Sequence, residues 1–328
     1  MEPSVRAQFN DAILDRALAC WEIPREAISL LDGFESFVYD CGALARIVRV
    51  SHSGRRNAAQ IAGELDWINY LSEHGVTACR AVPSRHGRLA EALGTGDAYF
   101  TAAVFEKAPG DPVDEDAFAP PLFARMGRMM GRMHALAKRY TPSDPSFVRP
   151  HWFEDIVGTG ERYLPPEDAH IVERFNALVA ETHALPIDDD AYGLVHLDFH
   201  RGNFFVDGDD MWLFDFDDCQ HSWFADDIAI ALFYAVPHDC TSPRDRDFAR
   251  RFMGDFLDGY ARENSLDRTW LERIPMFLTR REIDLYIVIH RSFDLDHLDD
   301  PWSASFMRGR REKIENAVPY VDIDFAAL

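Results

Sequence analysis

The chain has 328 residues, 47% of them hydrophobic and 12% aromatic, which is enough apolar side chain for a sizeable core and excludes a disordered chain. Its 34 Lys and Arg against 56 Asp and Glu leave a net charge of −22, which excludes a nucleic-acid binder working through a basic face. Cys20, Cys41, Cys79, Cys219 and Cys240 are scattered with no CxxC pair, the pattern of reduced thiols in a cytoplasmic protein, and neither a signal-peptide core nor an apolar run long enough to span a bilayer occurs.

In chain order, apolar residues at helical spacing predict an entry helix over 5–20. Residues 27–50 change to short apolar stretches broken at Asp32-Gly33 and Cys41-Gly42, which predicts three strands. A helix over 57–73 follows, stopping near His74-Gly75, and then strands over 80–92 and 99–105. The Pro/Gly connector Lys107-Ala-Pro-Gly-Asp-Pro marks a boundary, with a small α+β unit over 1–105 and a mainly helical unit over 106–328. Helical patterns recur over 121–138, 170–183, 226–236, 243–263, 269–290 and 302–316. The stripe Met126, Met130, Met133 reads as core packing.

The informative segment is 194–229, LVHLDFHRGNFFVDGDDMWLFDFDDCQHSWFADDIA. An apolar strand end leads into a polar loop from His196 to Asn203. Two apolar runs, 204–206 and 211–214, flank the turn Asp207-Gly208-Asp209-Asp210, a hairpin signal. Centred on Asp209, the hairpin sets Asn203 opposite Asp215, with opposed Cβ atoms about 4.5–5.5 Å apart. An amide oxygen and a carboxylate so placed are a hard-cation pair of the kind Mg²⁺ takes. Asp198, in the loop feeding the hairpin, then stands where a base for an incoming hydroxyl is needed. Each of these residues alone is ordinary turn chemistry; their joint spacing carries the reading. A zinc site from His196, Asp198 and His200 is a competing arrangement.

The spacing H-x-D-x-x-x-x-N, then a hairpin and Asp, is that of the protein-kinase catalytic loop and metal Asp. HLDFHRGN followed by FDFDD resembles the choline kinase and aminoglycoside phosphotransferase family, and Asp226-Asp227-Ile-Ala resembles that family's D-x-A segment. Asp215-Phe216 is followed by Asp217, not glycine, which departs from a regulated protein kinase. The resemblance implies a bilobal, protein-kinase-like α+β fold with a small antiparallel-sheet N-lobe and a larger helical C-lobe. It implies transfer of the γ-phosphate of ATP, or of GTP, to a small-molecule hydroxyl such as that of an aminoglycoside, amino alcohol or sugar. In it, Asp198 deprotonates the acceptor, Asn203 and Asp215 hold Mg²⁺, and Asp227 accepts backbone hydrogen bonds that stiffen the loop. His196 and His200 shape that loop, and Asp217 either assists the metal or caps a turn.

No GxxxxGK[ST] occurs, and the Gly94-Thr95-Gly96 and Gly158-Thr159-Gly160 pairs read as turns. The turn over 32–39 is the candidate phosphate loop, with Gly33 and the Ser36 hydroxyl covering the phosphates and Glu35 having to point away. Kinases use a small-lobe cation on the α- and β-phosphates, held by a helix Glu. The first lysine here is Lys107, so an arginine must supply that charge. Strand 44–50 offers Arg46 and Arg49 on opposite faces. The family pattern favours Arg49, with Glu64 as its partner. By the same resemblance adenine bonds the Glu106 carbonyl and the Ala108 N–H. The acidic, aromatic stretch 284–300 is either an acceptor wall or a solvated helix end. A protein Ser/Thr kinase and a catalytically silent nucleotide-binding module are the competing functions; no nucleic acid or membrane partner is expected.

Overall fold

The structure is a computed structural model and describes residues 3–31, 33–94, 96, 98–238, 240 and 242–328. Asp32 and Thr95, singled out above, lie outside the described residues. In chain order the elements begin with α1 (Pro3–Arg6), α2 (Asp11–Ala19), β1 (Ser29–Leu31), β2 (Phe37–Cys41), β3 (Arg46–His52), α3 (Ala58–Glu73), β4 (Ala90–Ala92), β5 (Phe100–Glu106) and β6 (Asp111–Pro112). They continue with α4 (Pro120–Ala137), α5 (Thr159–Tyr163), α6 (Ala169–His183), β7 (Tyr192–Val195), β8 (Phe204–Asp207), β9 (Asp210–Leu213) and β10 (Gln220–Trp223). The chain closes with α7 (Phe224–Ala235), α8 (Pro243–Tyr260), α9 (Ile274–Ser292), α10 (Pro301–Met307) and α11 (Arg310–Glu315).

Two compact units result. The first comprises Met1–Pro112, Arg139–Arg149 and Asn203–Asp217. Its five-stranded antiparallel sheet has the order β1-β2-β3-β5-β4. Val48 and Val50 of β3 point to one face, where they join Leu14 and Leu18 of α2 in a buried cluster. The α3 helix is started by a reciprocal capping box between Asn57 and Gln60 and buries Ile61, Leu65, Ile68 and Leu71. A second, three-stranded sheet β6-β8-β9 carries the hairpin. That hairpin is stitched on by Leu213 N–H to the Thr77 carbonyl at 2.9 Å and Cys79 N–H to the Leu213 carbonyl at 3.0 Å.

The second unit comprises Val113–Lys138, Pro150–Gly202 and Asp218–Leu328. It is helical apart from the antiparallel pair β7–β10. The α4 and α8 helices cross closely because Gly127 and Gly259 present no Cβ where the Phe256 and Ala124 carbonyls pass. Met126, Met130 and Met133 are buried core residues. No helix among the described residues is long and apolar enough to cross a membrane, and all five cysteines are free thiols.

Three predicted elements are interrupted. The entry helix is two pieces, because the Asn10 side chain accepts from the Ile13 N–H and starts α2 afresh. Strand 80–92 survives only as β4 and a bridge at Ala81, since residues 84–88 close a turn through Ser84. Helix 302–316 breaks at Gly309, whose φ is 63°.

Candidate active site

The β8–β9 hairpin pairs Asp207 with Asp210 and Phe204 with Leu213, so its turn has two central residues, Gly208 and Asp209. Gly208 takes the first with φ 58°. The register therefore differs by one from a hairpin centred on Asp209. Asn203 lies opposite Phe214, whose N–H donates to its carbonyl at 2.9 Å. A one-residue slip turns a side chain to the other face, but Asp215 leaves the strand with φ 62° and so escapes the alternation. A left-handed non-glycine residue costs roughly 1–3 kcal/mol and persists only where its surroundings fix it. Asn203 is buried and Asp215 exposed, and both end the same ribbon with oxygen atoms to offer.

In the same unit Arg49 and Glu64 meet as a two-pronged pair, Nη1 to Oε1 at 2.8 Å and Nη2 to Oε2 at 2.6 Å. The side chain of Arg49 is 8% exposed and that of Glu64 0%. Burial opposes the guanidinium's charge, but Glu64, Asp217 and Asp215 outweigh it and raise its pKa. Arg46, on the opposite face of β3, is half-buried and, among the described residues, bonds only its neighbour's carbonyl, that of Ala45, at 3.1 Å.

Asp217 is the hub of an arginine cluster the sequence did not reveal. Arg55 Nε donates to its Oδ2 at 2.7 Å, Arg49 Nη1 stands 3.9 Å from its Oδ1, and Arg149 Nη2 donates to its carbonyl at 2.6 Å. Burial works against ionisation, yet Arg55, Arg49 and Arg56 hold this carboxyl far below the usual carboxylate range. Arg55 also lies 3.7 Å from Glu35, which compensates that acid in the turn beside Gly33. A Cβ at Gly33 would strike the Ser36 carbonyl, so the turn is tight there. The Ser36 hydroxyl is 2.9 Å from that of Ser51 and is turned into the sheet. At the connector, Glu106 ends β5, and the Ala108 N–H has no hydrogen-bond partner among the described residues.

The second unit holds Asp198. Asp227, fully buried at the start of α7, accepts from the N–H of Leu197 at 2.7 Å and of His196 at 3.3 Å. These bonds hold Leu197 at φ 59°, immediately before Asp198. His134 of α4 places Nε2 2.9 Å from Asp227 Oδ2 and Nδ1 2.9 Å from the Tyr260 hydroxyl. With Asp227 as acceptor, Nε2 carries the proton and Nδ1 accepts from Tyr260. The Nδ1 of His196 accepts from the Asp198 N–H at 3.2 Å, and His196, Asp198 and His200 form no metal-ligand group among the described residues.

Asp198 itself lies 3.4 Å from His200 Nε2 and 3.9 Å from Arg281 Nη2. Burial raises its pKa, but His200 and Arg281 prevail and lower it. From the stretch 284–300, Asp284 joins this group, accepting from Arg281 Nη1 at 3.0 Å. Asp294 and Asp300 cap the short helices that follow, and the end of the stretch is solvated.

The phosphotransferase enzyme family model matches residues 27–270 of this chain. Amicoumacin kinase of Bacillus subtilis (strain 168) is 35% identical over 327 residues, covering 97% of this chain and 96% of that protein. The structure of an amicoumacin kinase in complex with AMP-PNP, Ca²⁺ and Ami superposes with a TM-score of 0.89 at 35% identity, over 100% of this chain and 99% of that one. A microcompartment-associated aminopropanol kinase shares the fold, with a TM-score of 0.72 at 22% identity over 94% and 98% of the two chains. The fold is thus the α+β, protein-kinase-like one, and the chain belongs to the phosphotransferase enzyme family as a kinase of small molecules.

Proposed function

We propose that this chain transfers the γ-phosphate of ATP, as its Mg²⁺ complex, to a hydroxyl of amicoumacin or of a molecule closely similar to it. The observation that carries the reading is the backbone at Asp215. An exposed carboxylate in the left-handed conformation follows one strand of a ribbon whose other strand Asn203 immediately precedes, so an amide and a carboxylate oxygen flank one hairpin. An all-oxygen donor set fits a hard divalent cation, and these two residues would hold it. When bound, that cation neutralises charge on the phosphates.

The remaining roles belong to the chain's own side chains. Arg49, held by Glu64, contacts the α- and β-phosphates; its buried Nε has no partner among the described residues. Gly33 and Ser36 belong to the turn that covers the phosphates, and the Glu106 carbonyl and Ala108 N–H bond adenine. Asp198 takes the proton of the acceptor hydroxyl as its oxygen attacks phosphorus and the bond to the nucleoside diphosphate breaks. In this reading 1–105 is the nucleotide-covering lobe, and 106–328 supplies the catalytic loop and acceptor helices. The scattered cysteines favour the cytoplasm as its compartment. The acceptor assignment is supported by 35% identity along nearly the whole of both chains.

The test is nucleotide consumption with Mg²⁺ against amicoumacin, amino alcohols, aminoglycosides and sugars. Amicoumacin-dependent ADP release with a phosphorylated product is expected. Turnover with another class and none with amicoumacin would reassign the acceptor, and no turnover with any would sink the kinase reading.

A further inference from the structure

The two oxygens of Asp198 have different neighbours. Oδ2 lies beside His200 of the same loop, whereas Oδ1 looks at Arg281 of α9, from a distant part of the chain. The Arg281 guanidinium is fixed from two sides. Its Nη2 donates to the hydroxyl of Tyr234 on α7 at 2.6 Å, and its Nη1 donates to Asp284 Oδ2 at 3.0 Å. The Tyr234 ring also packs against it, with Cζ 5.6 Å from the ring centroid. The Arg281 and Asp284 side chains are each 18% exposed and that of Asp198 20%, so the group opens to solvent and is not core.

A separation of 3.9 Å is too long for a hydrogen bond but is a close charge pair. The i,i+3 pair with Asp284 engages Nη1 and leaves Nη2 to other partners. The Tyr234 bond does something more, because it fixes Nη2, the same nitrogen that stands opposite the carboxylate. The titratable and charged groups that also face this cluster include His196 from the loop, Asp218, and Arg280 beside Asp284.

We propose that Arg281 is a positioning residue for phosphoryl transfer: anchored by Tyr234 and Asp284, it sets its positive charge against the Asp198 carboxylate and holds the carboxylate's Oδ1 in one direction. The inference rests on Asp198 as the base. A guanidinium tied at both ends loses little further freedom in holding a third group, whereas a free lysine would have to be ordered each time.

The test compares wild type, Arg281→Met, Arg281→Lys and Tyr234→Phe in two measurements. Steady-state kinetics should show kcat of Arg281→Met lower by about 10²-fold, the scale of a misplaced reacting group, with KM for ATP unchanged. Arg281→Lys should restore part of kcat, and Tyr234→Phe should lose less than Arg281→Met. Carbon-13 titration of the Asp198 carboxyl in nucleotide-free protein should move to higher pH in Arg281→Met. Wild-type kcat in Arg281→Met, or an unmoved Asp198 titration, would overturn the assignment. Inactivity of the wild type with every acceptor would overturn the kinase reading alone, and the titration would still decide the role of Arg281. Should Arg281→Met fail to fold, Tyr234→Phe decides it by the same two readouts.

Discussion

Both prongs of the Arg49 guanidinium engage both carboxylate oxygens of Glu64, at 2.8 and 2.6 Å, linking β3 to α3. In a unit that reaches Lys107 before its first lysine, this pair is the buried cation held by a helix acid. Arg49→Ala leaves a fully buried carboxylate alone, which costs about 3–5 kcal/mol. Stability should fall by that order, and calorimetry should record a larger loss of ATP affinity than for Arg46→Ala, whose side chain bonds its neighbour's carbonyl. Equal ATP affinities in the two variants would remove Arg49 from the phosphate site.

Asp198→Asn keeps the shape of the loop and leaves Asn203 and Asp215 untouched. Binding of the Mg²⁺ nucleotide should stay near the wild-type value, while phosphoryl transfer falls by about 10²–10⁴-fold, the usual worth of a positioned base. Turnover equal to wild type would exclude proton abstraction by Asp198, and a matched loss of nucleotide binding would move it into the nucleotide site.

What could be read from the sequence is what is local. Strand end, polar loop and hairpin follow one another within 194–229, and alternation along β3 separates Arg46 from Arg49. The register at Asn203 missed by one residue because a two-residue turn at Gly208-Asp209 and a turn centred on Asp209 look alike in composition. Periodicity could not foresee that Asp215 turns left-handed and so leaves the alternation. The partners of Asp217 come from 49, 55 and 149, and Arg281 reaches Asp198 from a helix with no motif of its own. Such contacts between segments distant in sequence leave no spacing to read. The one local hint at Arg281 is Asp284, three residues on, a pairing any solvated helix shows.

Asp227→Ala removes the acceptor of the His196 and Leu197 N–H groups and of His134 at once. The left-handed backbone at Leu197 then loses the bonds that hold it, and the donors are left in a buried place. The variant should lose several kcal/mol of stability, since orphaned buried donors cost about 1–3 kcal/mol each. Amide exchange at 196–198 should quicken relative to the β7 strand before it. Unchanged protection there would mean that Asp227 packs α7 and does not hold the loop.

His134 carries the pH dependence of this network. Burial is the main cause of its lowered pKa, and it outweighs the favourable bond to Asp227. The folded state therefore takes up this proton at lower pH than the unfolded chain, whose histidines titrate near about 6.5. Where the unfolded state binds more protons, stability rises with pH. The His134 contribution is thus complete above about pH 6.5 and is lost as pH falls toward the folded value. His134→Gln should be less stable than wild type at about pH 8, and the gap should narrow below about pH 6.5. Urea unfolding of both proteins across that range measures the gap. A gap constant with pH would mean that His134 is not buried in its neutral form, and the proton on Nε2 would need reassigning.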